Sequence, residues 1–370
     1  MSTAIRGFLY FMLKLVDRPG SLSETAPVWP GENKITVIVP AYNESASIAD
    51  TIHSLRNQVL PPDQIIVVDD CSTDETGDLA RSLGVEVVTP PTNTGSKAGA
   101  QTYALSFVDT EFTIAIDADT TLAPDAIQRL FAVMKGSDVA AACGFVLPRH
   151  VKSIWERGRY VEYLFAFTFF KPIQDYFGRP LISSGCFSIY RTDVLREIGG
   201  WSNRTMAEDM DLTWSLYSRG REVRFVPEAV CYPIEPHDFR FLSCQLRRWS
   251  HGFWQNVRLH RFHILDQPYL RSTLAVMFWD AVVVGFIVLF AVPFLGLLVS
   301  PLFFLAYIVD LPLVAVPVLW EAARRREIGR ALMSLPAYPV LRMVNTAFIL
   351  KALWLEFVKR RSLTVYEKGH

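Results

Sequence analysis

Residues 34–40 read Lys34-Ile35-Thr36-Val37-Ile38-Val39-Pro40. A β-branched run closed by proline predicts a buried strand. The same alphabet repeats outward from it. A helical stretch runs from about Ser47 to Gln58 and stops at Pro61 and Pro62. Gln64–Val68 is a second strand, and Thr73 and Asp74 stand where they can cap a helix that ends at Gly84. Val85–Thr89 is a third strand, Lys97–Phe107 a helix and Phe112–Ile116 a fourth strand. A helix starts near Pro124 and reaches about Lys135, and Val139–Leu147 is a fifth strand. This alternation predicts an α/β fold with a mostly parallel sheet and helices on both faces. Ligands of such sheets bind beyond the carboxyl ends of the strands. Asp69 and Asp70 follow the second strand and Asp117 and Asp119 the fourth, so four carboxylates gather at one edge.

The chain has 370 residues, 37 Lys and Arg against 37 Asp and Glu, with 20% charged and 51% hydrophobic residues. That composition excludes a disordered chain and argues against a nucleic-acid binder. Mean hydropathy is +0.22, high for a purely soluble enzyme. Residues 231–370 carry sixteen Lys and Arg against nine Asp and Glu, so the acidic excess lies in the front of the chain. An acidic catalytic domain followed by a basic, apolar membrane anchor fits that asymmetry. Cys71, Cys143, Cys186, Cys231 and Cys244 are odd in number and form no Cys-x-x-Cys pair. Reduced thiols in a cytosol-facing domain fit them better than a zinc site or a disulfide framework. Near the N-terminus, Ile5–Val16 is apolar, too short to span a bilayer, and interrupted by Arg6 and Lys14. It reads either as an amphipathic helix on the membrane surface or as an ordinary packing helix.

Neither a dinucleotide-binding glycine fingerprint nor a Walker loop occurs in the sequence. The residues that can carry chemistry lie elsewhere. Asp117 and Asp119 close an apolar strand, where two carboxylates one residue apart can hold a divalent cation whose other ligands are phosphate oxygens and water. Asn93 to Lys97 lies between a strand and a helix, and its amides and lysine can meet a phosphate. Glu208, Asp209 and Asp211 open a helical stretch; such carboxylates commonly complement the helix dipole, and one can also serve as a general base. Gln245, Arg248 and Trp249 share one helix face, suited to a diphosphate and to a sugar or lipid interface. Taken singly, each has an ordinary reading as a turn, a dipole complement or a juxtamembrane helix. His260 and His263 read as interfacial residues rather than a metal pair, and His251 follows Trp249 closely enough to approach an acceptor.

Their joint order is specific. Pro40-Ala41-Tyr42-Asn43-Glu44, Asp69-Asp70, Asp117-Ala118-Asp119, Glu208-Asp209 and Gln245-Leu246-Arg247-Arg248-Trp249 together resemble the family 2 inverting glycosyltransferases. The likeness is to membrane-bound synthases of cellulose, chitin, hyaluronan and poly-N-acetylglucosamine, and it covers roughly residues 34–255. Ser184-Gly185 and Gly199-Gly200-Trp201 also look like elements of that family. The resemblance implies a GT-A fold (Rossmann-like) and a UDP-sugar donor. It implies that Ala41, Tyr42, Glu44 and Asp70 meet the nucleotide and that Lys97 meets the diphosphate. Asp117 and Asp119 match the metal motif, normally served by Mg²⁺ or Mn²⁺, and Asp209, beside Glu208, matches the general base. Gln245, Arg248 and Trp249 match the motif that closes over diphosphate and acceptor.

From Ala281 to Trp320, Asp310 is the only charged residue, and Ser300-Pro301 divides the run into two pieces. Spans at about 281–299 and 302–320 are expected, each long enough to cross a bilayer. Arg324, Arg325, Arg326 and Arg330 then place this side, and the catalytic domain, in the cytosol. Residues 331–358 read as a surface-lying helix or a re-entrant hairpin, with Arg342 and Lys351 inside them. Asp280 and Asp310 suggest a polar partner or a sugar path, although the membrane boundary is the commoner place for Asp280. The synthases carry more spanning helices than this, so transfer of one sugar to a lipid, as in ceramide glucosyltransferases, is the rival activity. A non-catalytic nucleotide-sensing membrane protein is the rival from another class. Expected partners are a UDP-sugar, with N-acetylglucosamine or glucose first, a polysaccharide or lipid acceptor, the bilayer and a second copy of the chain.

Overall fold

The computed structural model describes residues 35–364 apart from Gly136. The N-terminal segment 1–33, with Ile5–Val16, lies outside the described residues. In chain order the catalytic part runs β1 (Ile35–Ala41), α1 (Ile48–Arg56), β2 (Gln64–Asp69), α2 (Thr76–Ser82), β3 (Glu86–Val88), α3 (Lys97–Ala104) and β4 (Phe112–Ile116). It continues with β5 (Thr121–Leu122), α4 (Ala126–Met134), β6 (Val139–Val146), α5 (Ile154–Phe165) and α6 (Lys171–Tyr176). Then come β7 (Phe187–Arg191), α7 (Thr192–Ile198), α8 (Glu208–Ser218), β8 (Glu222–Tyr232) and α9 (Phe239–Leu259).

The strands form one sheet in the order β3-β2-β1-β4-β7-β6-β8-β5. Four of the seven pairings are parallel: β3–β2, β2–β1, β1–β4 and β6–β8. The first four sequence-predicted strands appear within a residue or two of their expected bounds. The sequence pattern does not reveal β5, β7 or β8, and β7 runs antiparallel between β4 and β6. These directions put the carboxyl ends of β1, β2, β4, β6 and β8 on one edge, together with the start of β7. Alternate residues of β1 feed two cores: Val37 and Val39 pack with α1 and α4 on one face, and Ile38 packs with α3 and α8 on the other. Thr73 does not cap α2. Its amide donates to Asn43 Oδ1 at 2.8 Å, and the Thr76 amide donates to Asp74 Oδ1 at 3.0 Å, because this loop is tied to the loop after β1.

Beyond α9 follow α10 (Arg261–Asp266), α11 (Pro268–Phe278), α12 (Val292–Leu298), α13 (Tyr307–Arg324), α14 (Ile328–Ser334) and α15 (Ala337–Leu353). The chain stays helical between α11 and α12, with widened turns at Trp279–Val284 and Ile287–Ala291. Among the described residues one helix, Pro301–Arg324, is long and apolar enough to cross a membrane, with a mean hydropathy of 2.3. This helix coincides with the second of the two segments expected from the sequence. Large apolar side chains are exposed along this region, among them Phe290, Phe294, Leu297, Leu302 and Leu311.

Within residues 331–358 the chain forms α14 and α15, and α15 packs on the α/β domain. α15 lies on α5 and α9, where Leu341 packs with Leu242 and Leu246. Asn345 donates to Glu162 Oε1 at 2.7 Å, and the Tyr160 hydroxyl donates to Glu327 Oε2 at 2.7 Å. Gly158 makes the approach possible, since a Cβ there would stand 2.9 Å from the Leu341 Cβ.

The middle of the sheet leaves no room at Gly144 in β6: an added Cβ would lie 2.3 Å from the Ala229 carbonyl oxygen and 2.7 Å from Phe187. Gly144→Ala is expected to destabilise the domain by about 1–3 kcal/mol through overpacking. A thermal melt that matches the parent would contradict this packing.

Candidate active site

The carboxyl edge of the sheet gathers chemistry from six segments. β4 delivers Asp117, whose amide meets the Cys186 carbonyl at 3.4 Å. α3 delivers Lys97, whose ammonium rests on Asp117 Oδ1, donates to the Gly185 carbonyl at 2.9 Å and stands 3.9 Å from Glu208 Oε1. α8 begins at Glu208, so its first turn brings Glu208 and Asp209 to this edge, where the helix dipole favours negative charge. Asp209 is fixed there by two backbone donors: Gly185 N to Oδ2 at 3.0 Å and Met210 N to Oδ1 at 2.8 Å. Gly185 is needed for this approach, because a Cβ would lie 3.1 Å from Lys97 Nζ and 3.2 Å from Asp209 Oδ2. Burial raises the Glu208 carboxyl, against the pull of Lys97.

Asp119 lies one step further along the same turn. Burial, then Asp117, Glu44 and Glu235, push its carboxyl up to about 8. Among the described residues no three His, Cys, Asp or Glu side chains converge on one point. Asp117 and Asp119 nonetheless fit a divalent cation whose remaining ligands come from a phosphate and water. Negative charge is concentrated there beyond what Lys97 offsets, and a dication relieves it.

The loop after β1 and the loop after β2 form the neighbouring wall. Ala41 is buried and pairs with Asp69 in the sheet. Tyr42 is 40% exposed. Asn43 takes a left-handed conformation at φ 54°, which asparagine tolerates better than most residues. Glu44 Oε2 accepts from Ser47 Oγ at 2.8 Å, and the Glu44 amide donates to Thr76 Oγ1 at 2.7 Å. Asp70 spends both oxygens on Thr94, accepting from its amide at 2.8 Å and its hydroxyl at 2.9 Å. Asp70 therefore anchors the 93–97 loop that carries Lys97 into place.

α9 supplies the last group. Gln245 Oε1 accepts from Arg159 Nη2 at 2.8 Å, and the Arg159 guanidinium lies 4.6 Å from the centre of the Trp249 ring. Arg248 is half-buried on the same helix. α9 is tied to α8 by close contact, since a Cβ on Gly252 would stand 2.6 Å from the Ala207 amide nitrogen and Cβ.

Two residues here escape a reading of the sequence. Arg159 is buried and ion-pairs with Glu162 and, at 3.7 Å, with Glu235. Glu235 accepts from the Tyr163 hydroxyl at 2.7 Å and is close enough to Asp119 to raise its carboxyl. It therefore links the Asp119 turn to Gln245 and Trp249. A lone acid after a strand at the carboxyl edge is the signal that points to it once β8 is recognised.

Other candidates have structural partners instead. Asp211 accepts from Arg204 at 2.7 Å and meets His260 Nε2 at 2.7 Å, which hold its carboxyl low despite burial. That contact also removes His260 from any metal pair. His251 meets Glu356 Oε1 at 2.7 Å inside the helical region, so it does not face an acceptor.

Burial pushes the Glu235 carboxyl up to about 7 from 4.5, with Arg159 working against the rise. An acid whose folded value is raised costs stability as it ionises, so its contribution is full at low pH and lost as pH climbs from 4.5 to 7. In cation-free protein, Glu235→Gln is expected to flatten the pH dependence of the melting temperature across that window. An unchanged pH profile would contradict the assignment.

Comparison with known proteins agrees with this geometry. Residues 36–199 match the family described as glycosyl transferase family 2. The chain is 26% identical over 243 residues to the poly-beta-1,6-N-acetyl-D-glucosamine synthase of Staphylococcus epidermidis, covering 62% of this chain and 59% of that protein. It is 31% identical over 249 residues to the uncharacterized glycosyltransferase YaiP of Escherichia coli, covering 63% of this chain and 60% of that one. The chain thus spans about three fifths of the length of these relatives. In fold it is similar to the mannosyltransferase PcManGT of Pyrobaculum calidifontis, solved in complex with GDP-Man and Mn²⁺. That likeness covers 97% of this chain and 98% of the other at a TM-score of 0.59 and 19% identity. The α/β domain is accordingly GT-A-like, and its residues 36–199 are similar to glycosyl transferase family 2.

Proposed function

We propose that the chain is a membrane-associated inverting glycosyltransferase that moves a sugar from a UDP-sugar to a growing polysaccharide. The observation that carries this reading is Asp209, clamped by two backbone amides beside Lys97 and Asp117. The acceptor hydroxyl gives its proton to Asp209 as its oxygen attacks the anomeric carbon. The bond from that carbon to the diphosphate oxygen breaks, UDP departs with the electron pair, and the centre inverts. Lys97 moves from Asp117 toward the diphosphate, and Arg248 adds positive charge from α9. A divalent cation held by Asp117 and Asp119 supplies charge neutralisation of the leaving diphosphate. Tyr42 and Glu44 face the nucleotide, and Asp70 acts on it through the loop it anchors. Glu208, ion-paired to Lys97, keeps the ammonium in reach of both positions.

The poly-N-acetylglucosamine synthase relative supports N-acetylglucosamine as the sugar and a polysaccharide as acceptor. The helix Pro301–Arg324 and the exposed apolar side chains around it support a membrane seat, with the catalytic domain on the cytosolic side with Arg324 to Arg326.

Asp209→Asn is expected to lower transfer by about 10²–10⁴-fold with UDP binding retained. Labelled UDP-N-acetylglucosamine and UDP-glucose, each assayed with product sizing, check this and separate polymer from single transfer. Full activity in that variant ends the base assignment. Asp119→Ala is expected to abolish cation-dependent UDP binding in calorimetry, and a titration identical to the parent would remove Asp119 from the cation site.

A further inference from the structure

α9 has two working faces. At about 100° per residue, Arg247 and His251 lie on the side of the helix opposite Gln245 and Trp249. On that reverse side, between α9 and α15, is a cavity of about 280 Å³. Phe348, Ala352 and Leu355 form its apolar wall, and Arg247, Lys351 and Arg361 stand around it. The nearby acid does not neutralise Lys351 or Arg361. Glu356 is already engaged by His251 at 2.7 Å, Gln255 at 3.0 Å, Ser362 at 2.6 Å and Arg258 at 3.3 Å. Lys351 and Arg361 are exposed and make no ion pair among the described residues. Apolar side chains such as Trp354 and Phe357 are exposed on the same stretch of chain.

An apolar hollow ringed by three cations, on a surface of exposed apolar side chains, matches one ligand chemistry. It accepts methylene groups inside and a phosphate at the mouth. Zwitterionic head groups would bring a second cation against Lys351 and Arg361. We infer that this cavity binds an anionic phospholipid, with its phosphate on Lys351 and Arg361 and its acyl chain along Phe348 and Leu355. The site is separate from the carboxylate edge and touches it only through α9, so a bound lipid braces the helix that carries Gln245 and Trp249. The inference rests on the membrane seat proposed above but not on the transfer chemistry.

The test uses the full chain in neutral detergent. Dihexanoyl-phosphatidylglycerol, dihexanoyl-phosphatidylcholine and inorganic phosphate are titrated separately, with native mass spectrometry and the melting temperature as readouts. The anionic lipid is expected to bind saturably and raise the melting temperature, and the other two are not. Lys351→Gln with Arg361→Gln is expected to weaken that binding about tenfold or more, a loss of at least about 1.4 kcal/mol. Arg324→Gln with Arg326→Gln removes the same charge elsewhere and is expected to leave it unchanged. Equal binding of the phosphatidylcholine, binding of inorganic phosphate as tight as that of the lipid, or an equal loss in both double variants overturns the site. Cell fractionation and UDP-sugar turnover on the same preparation keep the readings apart. A chain that sediments with membranes and transfers sugar but ignores phosphatidylglycerol refutes the cavity alone.

Discussion

Crowded negative charge is the constraint on which the rest of this structure depends. Glu44, Asp117, Asp119, Glu208, Asp209 and Glu235 all belong to one edge of one sheet, and several are buried enough that their mutual repulsion is poorly screened. A fold tolerates such a cluster only if cations and backbone donors are built in beside it. Lys97 answers Asp117 and Glu208, Arg159 answers Glu235, and two amides answer Asp209. Among the described residues, Asp119 has only Thr120 and the nearby Arg149 to favour its charge against burial and three neighbouring acids, and its carboxyl rises to about 8. The imbalance is local, and it falls where a dication bound to a diphosphate would restore it.

The backbone features that look incidental follow from that crowding. Gly185 carries no side chain because Lys97 and Asp209 approach it from two sides. Gly252 carries none because α9 crosses the start of α8 there, which sets the distance from Trp249 to Asp209. Asp70 holds Thr94, and Thr94 belongs to the loop that leads into α3 and Lys97. These are positioning contacts made by small residues and hydroxyls. They convert six carboxylates from an electrostatic liability into an arrangement with a defined empty direction.

Much of the fold is legible in the sequence because parallel strands buried on both faces announce themselves as β-branched runs. β1, β2 and β4 are such runs, and the order of residues alone assigns the acids just after β2 and β4 to the ligand edge. β7 and β8 are not legible. β7 buries a polar residue, Ser188, among its apolar ones, and β8 contains Pro227 and Glu228 at a shift of register, which hides its period. With β8 hidden, Glu235 is hidden too, and with it the partner of Arg159. For the helices after α9 the sequence says less, since hydropathy reports how apolar a segment is, not whether its apolar face meets lipid or another helix. One face of α15 packs on α5 and α9 through Leu341.

That last point bears on how the α/β domain and the C-terminal helices are joined. A domain tethered by a flexible linker would let the helices vary without touching the site. Here the C-terminal helices and the domain share α9, whose one face holds Gln245 against Arg159 and whose other face is packed by α15 and Glu356. A rigid helix 21 residues long transmits a displacement at one face to the other with little loss, because its own hydrogen bonds resist bending. Whatever settles α15 against the domain therefore also settles the position of Trp249 against Arg159. The physical consequence is that the geometry around Asp209 cannot be independent of what occupies the helices behind it.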